Sequence, residues 1–172
     1  MTFQKLLPVA IAIALTSGVY IFIAQYFQIT ALWLPYISWT AYFLDGGKPS
    51  RIFNMAICFT GGMLIGLMTV LLIDPLTNIL GSTFSLPVIV FFMVLLILLL
   101  ELIKGANMVP VYFFSYSSYF AYYYGKFGGD LATPFNILPM MWLLLIIGLG
   151  LGYFTSEIRK IILGNKNIRR KF

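Results

Sequence analysis

The chain has 172 residues, of which 61% are hydrophobic and 9% charged. Soluble domains run near about 45–50% apolar and about 25% charged, so a soluble globular domain and a disordered chain are both excluded. The apolar runs are nearly continuous rather than alternating, which also argues against a membrane β-barrel. The composition fits an all-α integral membrane protein. The chain has no histidine, and Cys58 is its one cysteine, so an intrachain disulfide and a cysteine metal cluster are excluded and the commonest general base is missing.

A helix needs about 20 apolar residues to cross the bilayer core. Six segments qualify as spans: 6–24, 26–44, 52–73, 83–103, 107–124 and 134–154. A cleaved signal peptide is the alternative for the first, but its apolar run is long and no A-x-A site follows. The second and fifth are half-polar and carry Pro35 and Pro110. With six spans, one side receives Lys5, Lys48, Arg51, Lys104, Arg159, Lys160, Lys166, Arg169, Arg170 and Lys171, and the other only Lys126. If the second and fifth segments were re-entrant, the split would be seven against four. The positive-inside rule therefore favours six spans with both termini cytoplasmic. The net charge of +6 is then a topology anchor and an anionic-lipid contact at the tail, with no nucleic-acid partner implied.

The halves 1–73 and 83–156 echo each other, and a basic tail follows from 157 to 172. Leu7-Pro8-Val9 matches Leu86-Pro87-Val88, and Ser38-Trp39-Thr40-Ala41-Tyr42-Phe43 matches Ser115-Tyr116-Ser117-Ser118-Tyr119-Phe120. Gly46-Gly47 matches Gly128-Gly129, Phe53-Asn54 matches Phe135-Asn136, and Gly62 with Gly66 matches Gly148 with Gly152. The offsets are 79, 77, 82, 82 and 86. Three spans per half is an odd number, so the halves would run oppositely through the membrane. This is a 3+3 inverted-topology repeat, a common transporter plan.

The stretch Leu34-Pro35-Tyr36-Ile37-Ser38-Trp39-Thr40-Ala41-Tyr42-Phe43-Leu44-Asp45-Gly46-Gly47, with Asn54 and the glycine-rich segment after it, resembles a small bacterial inner-membrane family. That family is known as domain of unknown function 1097. The resemblance implies a multi-span inner-membrane protein and supplies no reaction, so no catalytic residue is carried over.

Ionisable residues in mid-membrane are functional candidates, and these segments hold none. Asp45 and Asp74 fall at segment ends, and Glu101 stands three residues before Lys104. That pair reads as an interfacial clamp on one helix face or as a gate. Asp45 and Asp130 are expected on opposite sides, so no aspartyl-protease dyad forms. Nucleotide and metal fingerprints are missing, so no enzyme, cofactor or metal is expected.

The neutral polar groups concentrate in the second and fifth segments. Tyr112, Tyr116, Tyr119 and Tyr123 recur at helical spacing, with Ser115, Ser118 and Tyr122 on an adjacent face. The path expected from these residues is lined by Ser38, Trp39, Thr40, Ser115, Tyr116, Ser117 and Tyr119, and it suits a small neutral or weakly polar solute. The competing reading is hydrogen-bonded glue between helices. Asn54, Asn136, Glu101 and Lys104 are gate candidates, with capping as the alternative for the asparagines. Gly62, Gly66, Gly148 and Gly152, helped by Gly61 and Gly150, form small-residue faces for close helix packing. The reading is a channel or transporter, assembled as a homo-oligomer. The alternative is a non-transporting membrane scaffold.

Overall fold

A computed structural model describes residues 3–164. It is all-helical, with no strand among the described residues. The helices are α1 (Phe3–Tyr26), α2 (Leu34–Leu44), α3 (Ile52–Leu80), α4 (Ser82–Leu99), α5 (Val109–Tyr124) and α6 (Leu138–Leu163). Four segments among them are long and apolar enough to cross a membrane: Leu6–Tyr26, Pro49–Leu80, Ser82–Leu102 and Leu138–Leu163.

The expected spans 26–44 and 107–124 are not among these four, and each holds a helix shorter than expected. At 11 residues α2 is about 16 Å long, and at 16 residues α5 is about 24 Å, so both fall short of the bilayer core. The reasons are local. Gln28 takes a left-handed φ of 54°, and the Ile29 N–H donates to the Ala24 carbonyl, closing α1. The chain regains helix only where Pro35, with its preset φ, occupies the first turn of α2. Pro110 starts α5 in the same way after the non-helical Met108. Helix α3, by contrast, runs through Asp74-Pro75 to Leu80, beyond the expected end at 73. The tail expected from 157 begins inside α6, while Lys166, Arg169, Arg170 and Lys171 lie outside the described residues.

The most extensive contacts are α2 on α6 and α5 on α3. Helix α4 packs on α3 and α1 on α6, with lighter contacts between α2 and α5 and between α3 and α6. Elements of each half therefore lie against elements of the other. The outer helices α1 and α4 bury a narrow stripe each, such as Ser85, Ile89, Met93 and Ile97 on α4. Their remaining faces expose Ile11, Leu15, Val19 and Phe22, and Phe84, Phe91, Leu95 and Leu98. Apolar faces this broad belong in hydrocarbon or against protein.

Candidate solute site between α2 and α5

The site is framed by two glycine seams. A Cβ on Gly62 would lie 2.0 Å from Ser115 Oγ and 2.4 Å from the Tyr112 carbonyl oxygen. One on Gly148 would lie 2.0 Å from the Pro35 carbonyl oxygen and 2.1 Å from Ser38 Oγ. One turn on, Gly66 faces the Tyr119 ring and Gly152 the Tyr42 ring. Only glycine allows backbones to approach so closely. The order of these contacts makes α2 run parallel to α6, and α5 parallel to α3.

Each seam carries a buried hydrogen bond between side chains. Trp39 Nε1 donates to Thr155 Oγ1 at 3.0 Å, and the Tyr116 and Thr69 hydroxyls meet at 3.2 Å. Ser38 Oγ donates to the Pro35 carbonyl, and Ser115 Oγ to the Val111 and Tyr112 carbonyls. The Tyr119 hydroxyl donates to the Pro134 carbonyl at 2.8 Å. Five of the seven expected path residues are thus buried in interfaces. Thr40 and Ser117 are exposed instead. Membrane hydrogen bonds between side chains contribute about 0.6 kcal/mol on average and about 1.7 at most. Tyr116→Phe is therefore expected to lower stability by about 1 kcal/mol without changing the fold, measured by thermal unfolding in detergent.

A recess of about 220 Å³ opens between the C-terminal end of α2 and the N-terminal end of α5. Ala41, Leu44, Met108, Pro110, Val111 and Phe114 give it apolar walls, and Asp45, Arg51 and Asn107 give it polar ones. Gly46 and Gly47 take φ of 83° and 63° in the turn after α2, which a side chain would strain. That turn returns the chain so that Arg51 Nε lies 2.8 Å from Asp45 Oδ2. The contact is ionic rather than aligned as a hydrogen bond, and both atoms are buried without another partner. Sequence reading placed Asp45 in a loop and gave Arg51 only a topological role. The signal for their pairing was the double glycine between them.

The opposite end of the α2–α5 seam is filled. The Phe127 ring stands 5.9 Å from Trp33 and 6.1 Å from Tyr122, centroid to centroid. Thr30 Oγ1 donates to the Phe127 carbonyl at 2.7 Å and clasps this plug. At the recess end, the Tyr42 hydroxyl is buried with no aligned hydrogen-bond partner, while Tyr119 holds Pro134 at the other. The recess shares its end with Lys48, Arg51 and Lys104, because Gly47 lies against Ser156 of α6 and Gly105 lies near Asn54 of α3. Lys126 stands at the plugged end, 3.9 Å from Asp130.

The gate candidates separate. Asn136 is an exposed loop brace: its Oδ1 accepts from the Thr133 N–H, and its Nδ2 donates to the Leu131 carbonyl. Asn54 is half-buried in the first turn of α3, facing Gly105. Glu101 and Lys104 are both exposed and make no ion pair with each other, which corrects the expected clamp. Helix α4 ends at Leu99, a 3-10 turn follows to Leu102, and Ile103 is extended, so the two do not share a helix face.

The sequence model of a family described as "Protein of unknown function (DUF1097)" matches residues 10–159. No curated protein and no solved structure matches the chain.

Proposed function

Since the chain belongs to the DUF1097 family, whose description names no activity, we propose its function from its own geometry: it carries a small, net-neutral solute across a bacterial inner membrane. The observation that carries this reading is the unequal pair of ends on the α2–α5 seam, one a recess of about 220 Å³ and the other plugged by Phe127. Alternating access needs one end open and the other shut around a shared site.

The halves are related as a 3+3 inverted repeat, and the contacts support it. Shifting α2 by 77 and α3 by 86 turns Ser38–Gly148 into Ser115–Gly62, Tyr42–Gly152 into Tyr119–Gly66, and Trp39–Thr155 into Tyr116–Thr69. The same shift of 77 relates Asn107, Met108, Pro110 and Val111 of the recess to Thr30, Ala31, Trp33 and Leu34 beside the plug. Both termini and the recess lie on the cytoplasmic side, where the basic residues gather. Ser117 is one helical turn beyond Phe114, and Thr40 one turn before Leu44, so both continue the recess towards mid-membrane. Their exposure favours a homo-oligomer in which a second copy covers this hydroxylated strip.

Stopped-flow light scattering on proteoliposomes tests this. Selective, saturable flux of a small net-neutral solute is expected above empty liposomes, and Ser117→Trp should abolish it. Flat traces across charged, neutral and zwitterionic solutes would overturn transport. They would favour the scaffold reading, which the full burial of Ser38 and Ser115 in helix contacts also supports.

A further inference from the structure

The recess has a composition that narrows its ligand. It holds one fixed positive and one fixed negative group in contact, Arg51 and Asp45, against six apolar residues. Arg51 uses Nε against Asp45, and among the described residues no hydrogen bond holds its terminal nitrogens. The Asp45 side chain is only 18% exposed and accepts no aligned hydrogen bond at Oδ2. Asn107 adds a free amide at the rim. The Nε–Oδ2 contact is enclosed, but the Arg51 side chain is 36% exposed, so the pair presents an open charged face to the recess. Because Nε and Oδ2 face each other, the positions left for a ligand are the terminal nitrogens of Arg51 and Oδ1 of Asp45.

We propose that this recess binds the head of a small zwitterion, an α-amino acid with an apolar side chain. The proposal rests on the transport reading for its biological direction, but the site is defined by its own residues. The ligand carboxylate lies on the free edge of the Arg51 guanidinium, a planar fork that suits carboxylates. The ligand ammonium lies against the Asp45 carboxylate. Ammonium and carboxylate in an α-amino acid are separated by one carbon, which matches two protein charges 2.8 Å apart. Four charges of alternating sign then neutralise one another. A simple carboxylate would satisfy Arg51 and face Asp45 repulsively, and a simple amine would do the reverse. The apolar side chain lies along Leu44, Met108, Val111 and Phe114.

Isothermal titration calorimetry on the full chain in detergent decides the matter. The probes are L-alanine and L-valine, with propionate, propylamine and propionamide as fragments lacking one or both charges. Saturable binding of an amino acid is expected, with each fragment at least tenfold weaker. Arg51→Gln should weaken amino-acid binding at least tenfold. Leu44→Trp, at a position 69% exposed, should also abolish it, with thermal unfolding unchanged. Equal binding of propionamide, or no amino-acid binding by normally folded protein, overturns the proposal. Uptake of labelled L-alanine into proteoliposomes separates the two readings. Binding without uptake keeps the site and removes transport; flux of another solute without amino-acid binding keeps transport and removes this ligand class.

Discussion

Gly148→Val is expected to separate α2 from α6 and to cost at least about 3 kcal/mol, enough to leave little folded protein in detergent. The obstacle is the Pro35 carbonyl oxygen, 2.0 Å from the first added carbon. A backbone oxygen in the first turn of a helix cannot rotate away as a side-chain tip can. Helix α2 would have to move as a body, giving up the Trp39–Thr155 hydrogen bond and the packing of Tyr42 on Gly152. Gly62→Val should act alike through the Tyr112 carbonyl, 2.4 Å from the added carbon. Gly18→Ala and Gly150→Ala are the controls, since a Cβ at either position meets nothing within 4 Å. Both should leave stability unchanged or raise it by up to about 1 kcal/mol, the helix preference of alanine over glycine. Thermal unfolding and size-exclusion profiles in detergent separate the two groups.

Removing the plug is expected to have the largest effect on access. Phe127→Ala deletes the ring that touches Trp33 and Tyr122, and leaves the seam open at the Lys126 end. A cysteine placed at Ala31, now 1% exposed, should then react with a membrane-impermeant thiol reagent at least tenfold faster from that side. The Cys58→Ala background removes the native thiol. Phe127 is only half-buried, so the stability cost should stay near about 2 kcal/mol, below the usual value for a core phenylalanine. Unchanged labelling would mean that Trp33 and Tyr122 close the end without help, and would remove Phe127 from the gate.

Much of the helix packing was legible because glycine and hydroxyl residues recur at fixed separations. Gly62, Gly66, Gly148 and Gly152 are all at helix contacts. The lengths of α2 and α5 were less legible. Hydropathy averages over residues 27–33 and cannot register that Gln28 reverses the backbone there. The clamp between Glu101 and Lys104 failed for a related reason: helical spacing has meaning only while the helix continues, and α4 stops at Leu99. The recess was hidden because its polar residues come from two separate connections. Asp45 and Arg51 flank a glycine turn, and Asn107 precedes a different helix. Five expected path residues proved to be interface residues because a polar side chain in hydrocarbon takes the nearest partner: Ser38 and Ser115 a carbonyl of their own helix, Trp39 and Tyr116 a threonine hydroxyl of the helix packed against them, and Tyr119 the Pro134 carbonyl.

The exchange of partners between the halves governs how the chain must be assembled as it is made. When the first 81 residues have entered the bilayer, neither α2 nor α3 has yet met its main partner, because α6 and α5 remain to be synthesised. Until then Gly62, Gly66, Ser38 and Trp39 have only lipid, translocation machinery or one another as neighbours. The α3–α5 seam can close once α5 is made, but the α2–α6 seam waits for α6, the last of the described helices. A nascent chain of this design is vulnerable for nearly the whole of its synthesis, and its quality control would be expected to act on the first half.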